Sequence, residues 1–377
     1  MSIEPGLAPG HREAGANDEV GATTAGPMVV VTGAASALGR RVCAALGSDS
    51  GPQMVVPLDR RALPGVGGGE VDLLVDDLKA RFQGAHVVVH LASAFGPALD
   101  GDPEVERADD VEMARRVLEA AASASVRHLV LLSSATVYGA WVNNPVPLTE
   151  DAPLRPDPRF AFAVQKAEVE RLAGEWRETH PGSTVSLLRA ATPVAVDHPG
   201  WLARALRAAG ALRGPDDDAP AQFLHLDDLA AAVVLAVRSS LDGAANVAPD
   251  GWLTPTEFRD LAGPASRLRV PRWIGDRVAA LRWRLRLAPA PPGVQPYAAG
   301  PWVVANDRLR SVGWRPTQLS EEAYVEATPA GPWATLSPSR RQEIALGISG
   351  VLLVGALAGG VALIRRSRLG SSRTTAR

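Results

Sequence analysis

The chain has 377 residues, enough for one large domain or two modest ones, and its 39 lysines and arginines nearly balance 41 aspartates and glutamates. The net charge of −2 leaves no basic footprint for nucleic acid, and the single cysteine excludes an intramolecular disulfide. The seven histidines include no close pair at ligand spacing, so we predict no metal site and no nucleic-acid partner.

The first 26 residues differ in composition from the rest of the chain. Residues 1–26 mix Gly, Ala, Glu, Asp and Pro without an apolar run, which predicts a disordered N-terminal tail. The same segment lacks the apolar core of an export signal, so we expect the domain that follows to remain in the cytoplasm.

From Met28 onward, apolar runs alternate with helical patterns. Uninterrupted Val and Leu runs are typical of parallel strands that are buried on both faces of a sheet. The pattern therefore predicts an α/β fold, a Rossmann-type doubly wound parallel sheet, with a dinucleotide-binding domain over 27–190. The predicted strands are 28–31, 53–59, 86–93, 127–134 and 184–190, and the predicted helices are 111–125 and 167–176.

Residues 191–330 are more irregular and richer in proline and tryptophan. We predict a smaller substrate-binding region here, with 221–248 packing back on the first domain. Asp227 and Asp228 stand at a helix start, where carboxylates cap the first turn and favour the helix dipole. Residues 331–343 are predicted to be a linker.

The C-terminal part contains 21 uncharged residues, 344–364, long enough to cross a hydrocarbon core of about 30 Å as a helix. A buried core helix is the alternative, but arginines on both sides favour a single transmembrane helix, followed by a basic tail at 365–377. We expect this span to anchor the α/β domain on the cytoplasmic side. The positive-inside rule would also keep the tail cytoplasmic. These two expectations conflict, because a single straight span puts its ends on opposite sides of the membrane. A re-entrant insertion or a partner membrane protein would remove the conflict.

The turn after the first strand predicts a phosphate site. Gly33 and Gly39 stand six residues apart in "GAASALG", as the dinucleotide motif requires, although the middle glycine is missing. Asp59 follows Gly39 by 20 residues at a strand end, where a carboxylate accepts from the ribose 2′-OH of NAD. Arg60 and Arg61 would suit the 2′-phosphate of NADP, so both cofactors stay open. The other interpretation of this turn is an unused glycine loop.

Several further motifs stand in a fixed order along the chain. Together with the glycine turn, they resemble an extended short-chain dehydrogenase/reductase of the NAD-dependent epimerase/dehydratase type over residues 28–320. The motifs are "VDLLVDDLKARFQGAHVVVHLAS" (71–93), "SSATVYG" (133–139), "PLTEDAPLRP" (147–156), "FLHLDDLAAAV" (223–233), "ANVAPDGWLTPTEF" (245–258) and "DRLRSVGWRP" (307–316).

The resemblance implies a catalytic set from which one member is missing. In this family a tyrosine is the general acid/base, a lysine lowers its pKa and holds the nicotinamide ribose, and a serine binds the reacting oxygen. Ser134 and Lys166 occupy two of these positions, but Phe162 occupies that of the tyrosine and cannot carry a proton. Asp110 and Thr192 also stand where the family usually has asparagine.

None of the chain's three tyrosines is placed by the sequence to substitute for the missing one. Tyr138 belongs to the "VYG" position, and nothing puts Tyr297 or Tyr324 beside Lys166. The loss of a positioned acid/base typically costs 10²–10⁴ in rate.

The resemblance also implies a set of cofactor contacts, among them an adenine contact at Asp72 and Leu73. The complete set is Gly33, Ala35, Ser36, Ala37, Leu38, Gly39, Asp59, Arg60, Asp72, Leu73, Leu91, Ala92, Ser93, Lys166 and Pro193.

Two functions follow from the sequence. The first is a membrane-anchored NAD(P)-binding protein in which classical hydride transfer is impaired or absent. The second is an active NAD(P)-dependent epimerase, dehydratase or reductase on a nucleotide sugar or another hydroxyl or carbonyl substrate. That enzyme would use Ser134 and Lys166, with a substrate group or a water in place of the tyrosine.

Overall fold

The computed structural model describes residues 27–48, 54–63, 69–94, 103–210, 219–262 and, with short gaps, 277–328. The predicted tails, linker and transmembrane helix (1–26, 331–343, 344–364 and 365–377) lie outside the described residues. Among the described residues, no helix combines the length and the apolar character needed to cross a membrane.

The centre of the fold is a seven-stranded sheet in which all neighbouring strands run parallel, in the order β3-β2-β1-β4-β5-β6-β9. A separate parallel pair is formed by β7 and β8. The strands are β1 (Met28–Thr32), β2 (Met54–Asp59), β3 (Gly69–Glu70), β4 (Ala85–His90), β5 (His128–Ser134), β6 (Thr184–Ala190), β7 (Thr192–Val194), β8 (Phe223–His225) and β9 (Gly243–Val247).

Helices cover both faces of the sheet, and the smaller helices follow in the C-terminal region. They are α1 (Ala37–Gly47), α2 (Leu78–Phe82), α3 (Pro103–Ser123), α4 (Ala161–Thr179), α5 (Trp201–Gly210), α6 (Leu226–Ser239), α7 (Pro255–Ala262), α8 (Gln295–Ala299), α9 (Asp307–Ser311) and α10 (Ser320–Ala327). A short 3₁₀ helix, Ala135–Tyr138, follows β5. The predicted Rossmann-type parallel sheet is thereby confirmed.

Alternating side chains of the central strands divide the core between the two faces. Val29 and Val31 of β1 pack on the face covered by α1 and α6. Val30 packs on the opposite face with apolar side chains of α2, α3 and α4. Full burial of one valine or leucine contributes about 1.5–3 kcal/mol, so continuous apolar runs stabilise a strand that is covered on both sides.

The C-terminal region is tied to the sheet domain by polar contacts. Asp228 is buried on α6 and accepts hydrogen bonds from the backbone N–H groups of Thr317 (2.9 Å) and Gln318 (3.1 Å). Asp227 and Asp228 lie in the first turn of α6, as predicted, where carboxylates favour the helix dipole. The prediction that they cap the helix was wrong, because the N-cap is His225, whose ring accepts from the Asp227 N–H. Asp228 instead anchors a distant segment. The division of the chain into domains stays a prediction.

Candidate functional site

In the sheet, β2 and β3 lie on one side of β1, and β4 and the strands after it lie on the other side. The strand order therefore reverses between β1 and β4, and the carboxyl ends of these two strands lie next to each other. Crevices at such switch points are the usual ligand sites of open α/β sheets. Gly33 follows β1 with φ +75°, and a Cβ on it would lie 2.6 Å from the backbone N of Ala92, which follows β4. Only glycine therefore fits where the two segments meet.

The glycine turn leads into the N-terminus of α1. Ser36 caps this helix, and its hydroxyl accepts from the Gly39 N–H at 2.9 Å. A Cβ on Gly39 would lie 2.2 Å from the carbonyl oxygen of Gly33, so glycine is required there as well. The N–H groups of Ala37 and Leu38 have no acceptor within the described part of the chain. Such free amides at a helix N-terminus form an anion-binding position.

The carboxylate of Asp59 lies against this turn. Its Oδ2 accepts from the Ala35 N–H at 2.9 Å, and its Oδ1 accepts from the Arg61 N–H at 2.9 Å. Arg60 is exposed beside it. The end of β2 thus presents one carboxylate, which backbone donors hold in place. It also presents the two arginines that follow in the same loop.

A second predicted contact region follows β3. The Oδ1 atom of Asp72 accepts from the Leu74 N–H at 2.9 Å and closes a short turn. Arg116 of α3 donates to the carbonyl oxygens of Leu73 (2.7 Å) and Asp76 (2.8 Å). These contacts fix the turn that carries the predicted adenine contact.

The loop after β4, which includes Leu91, Ala92 and Ser93, leads to a buried ion pair. The hydroxyl of Ser93 donates to Asp110 Oδ2 at 2.8 Å. The same carboxylate oxygen lies 3.6 Å from Lys166 Nζ, with the lysine side chain 8% and the aspartate 3% exposed. A position where the family usually has asparagine therefore carries the counter-charge of the lysine.

Phe162 lies in a buried aromatic cluster beside Lys166. Its ring centroid is 5.8 Å from Lys166 Nζ, 4.8 Å from the ring of Trp201 in an edge arrangement, and 5.8 Å from that of Phe160. Sequence reasoning missed this cluster, because Trp201 and Tyr297 lie far away in the chain.

Tyr297 reaches the site region but is not placed to act as the missing acid. Its ring lies 5.0 Å from that of Phe160. Its hydroxyl donates to the carbonyl oxygen of Thr136 (2.9 Å) and accepts from the Asp157 N–H (3.1 Å). Burial raises the pKa of Tyr297 far above its ordinary value, so this phenol holds its proton at neutral pH.

Ser134 ends β5 and is buried next to the 3₁₀ helix. Its hydroxyl accepts from the Thr136 N–H at 3.3 Å and from the Thr136 hydroxyl at 3.0 Å. Pro193, the last predicted contact, lies in β7 opposite Leu224 of β8. The contacts of Ser134 and Pro193 with a ligand stay predictions.

A buried polar network supports the sheet beneath the site. Arg189 donates to Glu170 Oε2 (2.8 Å) and to the hydroxyl of Tyr138 (2.7 Å), which donates to Asn246 Oδ1 (2.8 Å). Ser133 donates to Glu170. Burial raises the pKa of Tyr138 to about 12. This second tyrosine is therefore a structural donor, held by the network, and not a proton source near neutral pH.

His90 makes the stability of the site region dependent on pH. Its Nδ1 lies 2.8 Å from the Thr32 hydroxyl, and burial, assisted by the charge of Lys166, lowers the pKa of His90 to about 4. An unfolded histidine titrates near 6.5. Between pH 6.5 and 4 the unfolded chain therefore binds more protons, and we expect a loss of about 3 kcal/mol of stability as pH falls through this range.

Urea unfolding at pH 7 and pH 4 checks this expectation. His90→Gln keeps a hydrogen-bonding group near Thr32 but does not titrate. The change in its free energy of unfolding between pH 7 and pH 4 should therefore be about 3 kcal/mol smaller than that of the wild type. His128, whose pKa is also lowered to about 4 by burial, should account for much of the dependence that remains. Equal pH dependence in wild type and His90→Gln would contradict the assignment.

Among the described residues, no group of three or more His, Cys, Asp or Glu side chains is arranged to hold a metal ion. The site thus consists of a glycine cradle, a fixed carboxylate, a buried Lys166–Asp110 pair and an aromatic cluster around Phe162.

Comparison with solved structures supports the fold. The chain is similar to UDP-glucose 4-epimerase from Thermus thermophilus in complex with NAD, with a TM-score of 0.60 and 21% identity over 80% of this chain and 97% of that one. It is also similar to MoeE5 in complex with UDP-glucuronic acid and NAD, with a TM-score of 0.58 and 24% identity over the same shares. At these identities the likeness shows a shared fold.

Comparison of sequences gives closer relatives. A 3-diazoavenalumate denitrifying reductase from a Streptomyces species is 33% identical over 252 residues, 62% of this chain and 76% of the relative. An uncharacterised protein of Mycobacterium tuberculosis is 28% identical over 187 residues, and this match spans about half of each chain (49% and 48%). Residues 29–248 match the model of the NAD dependent epimerase/dehydratase family. The chain belongs to this family.

Proposed function

We propose that the chain binds NAD and that classical, tyrosine-dependent hydride transfer is impaired or absent in it. The observation that carries this proposal is the buried aromatic ring of Phe162 beside Lys166, at the family's acid/base position. Without an ionisable group there, the protein has no side chain at this position to move a proton to or from a substrate oxygen.

The residues present fit a dinucleotide. Gly33 and Gly39 allow the backbone segments of the turn to approach more closely than a Cβ would permit, and the amides of Ala37 and Leu38 have no acceptor among the described residues. Asp59 is held at the end of β2 by two backbone donors, and we infer that its carboxylate accepts from a ribose hydroxyl. A bound nicotinamide would supply or accept hydride. The solved neighbours that contain NAD support this choice of cofactor.

The choice between NAD and NADP depends on Asp59. We expect Asp59→Asn to weaken NADH binding roughly tenfold, since a charged hydrogen-bond acceptor contributes about 1.5–3 kcal/mol. NADPH binding should be unchanged or improved, because Arg60 and Arg61 remain and a repulsive carboxylate is removed. Fluorescence titrations with both cofactors measure the ratio.

A matched control for this experiment is Asp77→Asn. Asp77 caps α2 through the Lys79 N–H, and asparagine caps a helix about equally well. This variant should leave both affinities within about twofold of wild type. If Asp59→Asn changed the affinities for NADH and NADPH by the same factor, Asp59 would not select NAD over NADP.

Turnover tests the chemical part of the proposal. The full chain is incubated with NAD⁺ and UDP-glucose, UDP-glucuronic acid or UDP-N-acetylglucosamine, and the products are separated by chromatography. The Thermus epimerase serves as a positive control with UDP-glucose. We expect cofactor binding without product from the wild-type chain. Rapid epimerisation, oxidation or dehydration by the wild type would defeat the proposal and favour an enzyme that uses Ser134 and Lys166 alone.

The Streptomyces relative favours a second candidate, hydride delivery to an acceptor that needs no proton. Its name describes a reductase that removes nitrogen from a diazo compound. When hydride adds to the carbon of a diazonium ion, a C–H bond forms, the C–N bond breaks and N₂ leaves, so no acid at position 162 is required. The test uses an aryl diazonium probe and NADH that carries deuterium on one face of C4. Hydride transfer from a single face of C4 supports this candidate. Equal transfer from both faces contradicts it.

We further propose that residues 344–364 anchor the α/β domain to the cytoplasmic side of a membrane. The support is the sequence alone, namely 21 uncharged residues between arginines. Protease accessibility of a C-terminal tag in intact cells measures the topology of the segment that follows.

A further inference from the structure

A neutral ion pair stands where the family chemistry needs a net positive charge. Lys166 Nζ lies 3.6 Å from Asp110 Oδ2, and both side chains are almost completely buried. The pair links the helices α3 and α4. The ring of Phe162 also lies beside the ammonium, with its centroid 5.8 Å from Nζ.

The carboxylate of Asp110 is fixed independently of the lysine. Ser93 donates its hydroxyl proton to Oδ2 at 2.8 Å, and the backbone N–H of Ala94 donates to Oδ1. Both donors come from the loop after β4. The orientation of the Asp110 carboxylate is therefore set by two hydrogen bonds that do not involve Lys166.

This arrangement changes what Lys166 does to a neighbouring phenol. An ammonium lowers the pKa of a nearby phenol because a positive charge favours the phenolate. A carboxylate 3.6 Å from the same ammonium opposes this effect, because its negative charge disfavours the phenolate. Lys166 of α4 lies beside the ring of Phe162, and Asp110 of α3 lies beside Lys166. The charges of both residues also act on the buried His90 of β4.

We propose that Asp110 is a positioning residue whose carboxylate neutralises the charge of Lys166. The acid/base function is then lost at two positions, 110 and 162, so a hydroxyl restored at position 162 alone does not recreate the acid. This inference deepens the proposed function and rests on it.

The experiment compares Phe162→Tyr with Phe162→Tyr/Asp110→Asn in the full chain, by absorbance near 295 nm between pH 6 and 12. The titration curves of the wild type and of Asp110→Asn are subtracted from those of the single and double variants, respectively, which removes the absorbance of the three native tyrosines. In the single variant we expect the introduced phenol to titrate at about 10, its ordinary value, or above. In the double variant its pKa should fall by at least about one unit, a tenfold increase in its ionisation constant.

A matched control is Asp109→Asn in the Phe162→Tyr background. Asp109 is the neighbouring residue on α3, so this variant loses the same charge one position away. The phenol should then titrate within about 0.3 unit of the single variant. Asp110→Ser in the same background replaces the asparagine variant if circular dichroism shows that the latter does not fold.

Two outcomes would overturn the inference: a phenol in the single variant that already titrates a unit or more below 10, or equal values in the single and double variants. Turnover by the wild type is a separate result, since it would defeat the proposed function whatever the phenol titration shows. The two failures are therefore distinguishable.

Discussion

Replacement of Glu170 by alanine is expected to lower the free energy of unfolding by about 3–5 kcal/mol. The Glu170 carboxylate accepts from Arg189 at 2.8–3.1 Å, with the side chains 3% and 8% exposed. Removal of the carboxylate leaves the guanidinium buried without its counter-charge and Ser133 without its acceptor. Urea unfolding followed by circular dichroism measures the loss.

Glu168→Ala on the same helix is the matched control. Glu168 also pairs with an arginine, Arg171, but the two side chains are 38% and 50% exposed. Exposed pairs of this kind contribute little to stability because solvent screens their charges, so Glu168→Ala should destabilise the protein far less than Glu170→Ala. Equal destabilisation by Glu170→Ala and Glu168→Ala would show that the buried network does not stabilise the region beneath the site.

Gly39→Ala is expected to weaken NADH binding by at least about 100-fold, equivalent to about 2.7 kcal/mol. The new Cβ would lie 2.2 Å from the Gly33 carbonyl oxygen, a distance that forces the turn and α1 apart. The amides of Ala37 and Leu38 would then no longer point at a common anion. Fluorescence titration with NADH measures the change in affinity.

Gly47→Ala provides the matched control, since Gly47 ends the same helix and a Cβ there would meet no atom within 4 Å. This variant should bind NADH like the wild type. A Gly39→Ala protein that is folded by circular dichroism and binds NADH within tenfold of wild type would contradict the assignment of the glycine turn as the cofactor cradle.

The sheet was predictable because its signal is local. Valine-rich runs such as β1 and β4 have to be buried on both faces, and only a parallel sheet with helices on each side buries them. Boundaries were less predictable. α4 begins at Ala161, six residues before the predicted helix, because its N-cap residue, Phe160, makes no side-chain hydrogen bond that would mark a start in the sequence.

The chemistry of the site was predictable only in part. Phe162 and Lys166 are four residues apart and share one helix, so sequence spacing identified them together. The Asp110–Lys166 pair joins residues 56 positions apart, and only the packing of α3 on α4 brings them into contact. The approach of Tyr297 to Phe160 likewise depends on the tertiary fold.

We propose that the dinucleotide site persists in a chain that lacks the acid/base tyrosine of its family. Equilibrium titration of the wild-type full chain with NADH, followed by cofactor fluorescence, tests this most directly. We predict saturable binding, with an affinity that Phe162→Tyr leaves unchanged and Gly39→Ala weakens by at least about 100-fold. The absence of saturable binding of either NADH or NADPH to the folded wild-type protein would contradict the account.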